Sequence, residues 1–293
     1  MQDFKEKKRT VKKAAVLLVI FLILLLALSA FFESMALNYP EFVQSRNRPW
    51  VNIQSERNDS IDVLVLGDSE SYTTFSPIEI WQQDGISSFV CGQTGQEIEE
   101  TYYMLRTALR TQKPKIVVFE TNSMFQPQSV SEGIQKMIAQ TANYYLPVFL
   151  LHSMWQNWVM GPEKQQVYYK GFVVRDIVEP YTGGDYMEKT DRKEEISLIV
   201  RFYMDRIVRM CKEEGCSVIL YSAPSPHNYN YAKHNTLMEY AEQMGAAYVD
   251  FNLMTEELGI DWEKDSLDNG DHLNVLGAEK LSRYFGTYLK QNY

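Results

Sequence analysis

The sequence predicts a three-layer α/β protein, a parallel sheet covered by helices on both faces, carried on one N-terminal membrane-spanning helix. Three observations lead there. From residue 61 onward short apolar runs alternate with helical periods, the rhythm of βαβ units. The runs at 115–120 and 217–222 have continuous apolar or β-branched interiors, as strands buried on both faces require. Residues 14–32 hold nineteen positions without a charge.

Taken in order, residues 1–13 form a cytoplasmic basic tail, with Lys5, Lys7, Lys8, Arg9, Lys12 and Lys13 against Asp3 and Glu6. At 1.5 Å rise per residue the stretch at 14–32 is roughly 28 Å long, about the thickness of a bilayer's hydrocarbon core. Basic residues ahead of a single span predict a cytoplasmic N-terminus and an exported remainder. The rival reading is a cleaved signal peptide, but such h-regions run about 7–15 residues. Ala27-Leu28-Ser29 is also a weak cleavage site, so a retained anchor is expected. Residues 33–60, polar with Pro40 and Pro49, are expected to be a partly ordered juxtamembrane connector.

The α/β domain then occupies residues 61–293. Strands are predicted at 62–67, 87–91, 115–120, 217–222 and 247–250, and helices at 77–83, 96–112, 190–214, 232–244 and 275–291. The last helix places Val275, Leu276, Leu281, Tyr284, Phe285, Tyr288 and Leu289 mostly three and four apart, which makes one apolar face. Gly215 and Gly245 stand where C-terminal caps belong. Residues 123–188 break the alternation and are rich in Tyr, Trp and Phe. An insertion this long between sheet strands reads as an accessory helical subdomain, as a cover over substrate or a membrane-facing platform, or as both together.

Removing residues 1–13 takes away six of 29 basic and two of 38 acidic side chains, leaving 23 against 36 and a formal charge of −13. Such a surface repels nucleic acid and anionic lipid head groups, and it argues against a nucleic-acid partner. Cys91, Cys211 and Cys216 are too few for a zinc site and read as buried thiols. An exported compartment would also allow a Cys211–Cys216 disulfide.

The chemistry-bearing residues stand near the two ends of the domain. The first strand stops on Gly67-Asp68-Ser69, which sets a serine at a strand tip and a helix start. Serine needs a base to take its proton and amide donors for the oxyanion. His272 meets the first need, lying in a polar loop with Asp265, Asp268 and Asp271 just before the last helix. At the carboxyl edge of a parallel sheet the two segments can meet. His227, after the fourth strand, also belongs to that edge and is read as a substrate contact. His152 and His234 are read as structural or solvated.

These residues resemble the SGNH/GDSL hydrolase superfamily. Gly67-Asp68-Ser69 matches its nucleophile block, and Cys91-Gly92-Gln93-Thr94-Gly95-Gln96 its second-strand glycine, with Gly95 the counterpart. Of its third block, Glu120-Thr121-Asn122-Ser123 keeps the asparagine, and Asn269-Gly270-Asp271-His272 corresponds to its Asp-x-x-His block. The resemblance covers residues 61–125 and 215–293. It implies the three-layer flavodoxin-like sheet of the SGNH-hydrolase type, Ser69 as nucleophile and His272 as base. It also implies an oxyanion hole of Gly95, Asn122 and the Ser69 N–H, with no metal or organic cofactor. The chain departs from the family at Asn269, where an aspartate is expected. The orienter of His272 is then Asp268, Asn269 itself as a neutral partner, Asp271 or a backbone carbonyl.

Within the superfamily the anchor and the run 271–280 resemble membrane-anchored members such as the D-alanine transfer protein of teichoic-acid synthesis. That likeness implies an extracytoplasmic esterase or O-acyltransferase working on acylated envelope polymers or an acyl carrier. A membrane-bound O-acyltransferase is the implied partner. The alternative is a non-catalytic scaffold that keeps the fold.

Overall fold

The strands that read as apolar runs assemble into one parallel sheet. The computed structural model describes residues 2–163 and 168–293. Helix α1 spans Gln2–Asn38 and continues past the uncharged stretch on both sides. Among the described residues it is the one helix long and apolar enough to cross a membrane. Helix α2 (Arg48–Ser55) follows. The segment expected to be a partly ordered connector is packed in this part, with Trp50, Val51 and Ile53 buried. Their apolar surface, at spacings of one and three, cannot stay in water once the sheet offers a face to cover.

Strand β1 (Val63–Gly67) leads into two short helices, α3 (Ser69–Thr74) and α4 (Pro77–Asp84). Strand β2 (Ser88–Gly92), helix α5 (Ile98–Ala108) and strand β3 (Ile116–Glu120) come next. The inserted region then forms α6 (Val130–Tyr145), α7 (Val148–Leu151), α8 (Met154–Met160) and a hairpin of β4 (Tyr168–Tyr169) and β5 (Phe172–Val173). The chain closes with α9 (Leu198–Glu213), β6 (Ser217–Ser222), α10 (Tyr231–Met244), β7 (Ala247–Asp250), α11 (Thr255–Leu258) and α12 (Val275–Asn292).

The sheet order is β2-β1-β3-β6-β7, all parallel. The order is that of the predicted flavodoxin-like fold, and it reverses at β1, so the chain leaves β1 and β3 toward opposite layers. Alternate residues of each strand serve the two layers. Leu64, Leu66, Val117, Phe119, Val218 and Leu220 join α2, α5, α9 and the end of α1. Val63, Val65, Val118 and Ile219 join α3, α4 and α12, where Phe75 stacks on Phe285 with centroids 4.5 Å apart. Burial on both faces is why the strands read as unbroken apolar runs.

The folded chain selects among the alternatives at two places. Cys211 and Cys216 are separate buried thiols, so the disulfide is not formed. Both side chains are packed into the same apolar core, and the turn between them is closed instead by the Cys216 N–H donating to the Cys211 carbonyl at 2.8 Å. The insertion is also not a separate unit. Helix α6 packs on α5 and α9, α7 packs on α1, and the hairpin docks on the outer edge of β2, where the Val90 N–H donates to the Lys170 carbonyl at 2.8 Å. Gly171 permits that approach. Its φ is +88°, and a Cβ there would lie 1.8 Å from the Val90 carbonyl oxygen.

Candidate active site

The site is built where the order reverses, at the carboxyl ends of β1 and β3, the general location of ligand sites in open α/β sheets. Gly67 turns the chain there with φ +149°, and a Cβ would lie 2.5 Å from the Glu120 Cβ. Asp68 caps α3, its Oδ1 accepting from the Glu70 N–H at 3.1 Å. This leaves Ser69 as the first residue of α3, half-buried, between the buried Asp68 and Glu70. Residues 68–70 thus hold the serine from both sides by backbone geometry.

His272 arrives from the other end of the chain on a narrow loop. Ser266 and Leu273 form an antiparallel bridge, and the Leu267 N–H donates to the His272 carbonyl at 2.9 Å. At the loop tip Asn269 and Gly270 both have positive φ, +57° and +92°. Asparagine tolerates that region better than most side chains. The tight turn folds Asp268 back over the histidine. Asp268 Oδ2 accepts from His272 Nδ1 at 2.7 Å, and its Oδ1 accepts from the His272 backbone N–H, also at 2.7 Å. Asp271 Oδ2 stands farther off, at 3.5 Å from Nδ1. Asn269 makes its bond by backbone, donating to the Glu179 carbonyl at 2.9 Å.

Two further segments bind the serine and histidine ends together. Asn228, in the loop after β6, brings its amide nitrogen to 2.6 Å from both Glu70 Oε1 and Asp271 Oδ1. Ser225 in the same loop donates to the Asp271 carbonyl at 2.6 Å. The inserted coil supplies the Arg175 carbonyl to the Val275 N–H at 2.8 Å, while the Glu179 N–H donates to the Ser266 carbonyl at 3.1 Å. In consequence Glu70, Asp271 and His272 bring one carboxylate or ring atom each within 4.8 Å of one another. These are metal-ligand types, but the two carboxylates share the Asn228 amide and His272 Nδ1 engages Asp268. Among the described residues no hydrogen bond joins the Ser69 hydroxyl to His272.

The electrostatics follow from the crowding of acids in a dry place. Burial pushes Glu70 up to about 8, with Asp68 and Asp271 adding to the rise against His272 and Asn228. Glu120 lies beneath, also raised by burial and by Asp68 and Glu70; its carboxylate accepts from the Asn122 N–H and the Tyr229 hydroxyl. Burial alone would lower His272, but its bond to Asp268 and the charges of Glu70 and Asp271 outweigh it and hold the imidazole up to about 9. Asp268 sits below its usual range: burial opposes this, and its bond to His272 prevails.

The remaining predicted residues take varied places. Asn122 follows β3 and donates its side-chain amide to Asp68 Oδ2 at 2.9 Å, leaving one amide hydrogen uncommitted. Gly95 lies exposed in a turn with φ +57°. The turn is tied to α3 by Tyr72 Oη to Thr94 Oγ1 at 3.0 Å, and held from outside by Arg46 Nε on the Thr94 carbonyl at 3.1 Å. His227 is exposed, its N–H on the Gly270 carbonyl at 3.3 Å. His234 pairs with Asp250 at 2.8 Å, and His152 is exposed. The sequence reading overlooked Glu70, Asn228 and Glu120. Glu70 offered a signal, an acid directly after a strand-tip serine; Asn228 and Glu120 offered none.

No protein-family model and no curated protein sequence matches this chain. Among solved structures it is similar to a GDSL-like lipase from Bacteroides thetaiotaomicron, at 10% identity and a TM-score of 0.44 over 85% of this chain and 98% of that one. A lipase/acylhydrolase from Enterococcus faecalis aligns at 14% identity and a TM-score of 0.43, over 79% and 96%. An acetyl xylan esterase aligns at 11% identity and 0.40, over 78% and 98%.

Proposed function

We propose that the protein is a serine-dependent ester hydrolase or O-acyltransferase of the SGNH type, in which Ser69 attacks an acyl carbonyl. The observation that carries this reading is the Asp268–His272 pair, 2.7 Å apart, fixed by loop contacts beside the α3 end that bears Ser69. In this reading His272 takes the serine proton and later returns it to the leaving alcohol. Asp268 fixes the tautomer and stabilises the imidazolium. The Ser69 N–H, Gly95 and the free hydrogen of the Asn122 amide receive the oxyanion, and the exposed His227 meets the substrate. Water or a polymer hydroxyl then resolves the acyl-serine.

The anchor and the run 271–280 support an extracytoplasmic place and acylated envelope polymers as substrates, with a membrane-bound O-acyltransferase as partner. The test is labelling of the full-length protein by a fluorophosphonate probe. Wild type should label, and Ser69→Ala should not while keeping its circular dichroism spectrum. Labelling that persists in the variant overturns the assignment.

One observation favours the second reading, a scaffold without turnover. The Ser69 hydroxyl is not hydrogen-bonded to His272, and an imidazole held up to about 9 carries its proton at neutral pH. Catalytic hydrogen bonds often tighten only when substrate binds, so a wild type that never labels at any pH would select the scaffold.

A further inference from the structure

The apolar surface beside α1 has no part in the site described above. Helix α1 is gripped by the domain before its uncharged stretch is over. The Val148 N–H donates to Ser29 Oγ at 3.4 Å, and Ser29 and Ala36 are both buried. Phe31, Phe32 and Met35 of α1 face Met154, Trp155 and Trp158 of α8 across a small apolar gap. Asn157 fixes α8 by donating its amide to the Phe42 carbonyl at 3.0 Å. Ser29 lies only about 4.5 Å along the helix axis from Phe32, where the uncharged stretch ends. A hydrocarbon core filled by residues 14–32 thus ends at the level where α7 and α8 attach.

At that level most of the outward side chains are apolar, with His152 and Gln156 the exposed polar ones. Trp155 and Trp158 are 53% and 60% exposed, Val159 and Met160 77% and 79%, and α7 adds Phe149 at 45%. Apolar patches of this kind mark a covered surface, and tryptophan favours the headgroup level of a bilayer. From this we infer that α7 and α8 lie in the outer membrane interface, with these five side chains in contact with lipid. The inference rests on α1 spanning the membrane. The lipid is favoured as occupant because the patch is continuous with α1 and fixed to it by packing. With α1 unbroken into the domain, two attachments then set the domain's orientation on the surface.

The three native cysteines are buried, so a single introduced cysteine can carry an environment-sensitive dye. Full-length protein is placed in phosphatidylcholine/phosphatidylglycerol nanodiscs with Leu22→Cys, Val159→Cys or Gln291→Cys, the last exposed at the end of α12. Lipid spin-labelled near the headgroup end of the acyl chain is the quencher for Val159 and Gln291, and lipid labelled near the methyl end of the chain is the quencher for Leu22, which lies mid-span. The proposal expects loss of emission at Val159 and Leu22, and none at Gln291. Quenching at Leu22 without quenching at Val159 overturns the proposal while the anchor stands. Absence of quenching at Leu22 removes the anchor and the proposal together.

Discussion

Asp268→Asn tests how His272 is tuned. The aspartate accepts from both Nδ1 and the backbone N–H of His272, each at 2.7 Å. The amide keeps the size, removes the charge and offers one acceptor where two are used. His272 is raised from 6.5 to about 9, and a shift of that size is worth roughly 3 kcal/mol. Asp268 shares it with Glu70 and Asp271 against the opposing effect of burial. A hydrogen bond to a charged group contributes about 1.5–3 kcal/mol. The Asp268 side chain is 37% exposed, so solvent screening places it at the low end. About 1.5 kcal/mol is about one pKa unit and roughly tenfold in rate.

A base must be neutral to work, so wild-type kcat/KM for a p-nitrophenyl ester should rise with pH toward about 9. In Asp268→Asn the midpoint should fall by about one unit and the plateau by about tenfold or more, because control of the tautomer is lost as well. Initial rates from pH 5 to pH 10 on folded protein measure both. An unchanged midpoint and plateau would refute the role given to Asp268. So would a larger effect from Asp271→Asn, whose carboxylate is 3.5 Å from Nδ1 and shares the Asn228 amide.

Folded Glu70 keeps, between 4.5 and about 8, a proton that the unfolded chain has released, and His272 does so between 6.5 and about 9. Stability therefore falls as pH rises through both windows; Tm should drop from pH 5 to pH 9, and Glu70→Gln should flatten the part below pH 8. Asn269→Asp should give no gain in kcat/KM, since Asp268 already holds Nδ1; a gain of tenfold would show that a carboxylate at position 269 orients the imidazole better than Asp268 does. Gly171→Ala should lower stability by about 2 kcal/mol or more in urea titrations, through strain at positive φ and a clash with the Val90 carbonyl. A loss under half that would mean that the hairpin edge yields.

The fold was legible because its signal is local. Strands buried on both faces must be apolar throughout, and the five predicted strands agree with those observed to within a residue at each end. The placement of Ser69 at a strand tip and of His272 in a pre-helix loop was legible for a related reason, since short-range sequence can declare such positions. Which carboxylate orients the histidine was not. Asp268 and Asp271 flank the same loop, and the choice depends on positive φ at Asn269 and Gly270, a backbone decision set by contacts from the inserted coil.

The charge state of the site was decided still further from the sequence. Glu70, Glu120 and Asp68 are ordinary acids until β1, β3 and α3 shut them away from water together. Their raised pKa values belong to that enclosure. Residues 33–60 and the inserted region likewise lacked a period, because their apolar side chains answer to α1 and the sheet edge. The sequence alone determined the long apolar N-terminal helix, the strand sequence and the chemical types at the two ends. Only tertiary contacts, which no local propensity encodes, decided how those ends meet and which face the protein turns to its surroundings.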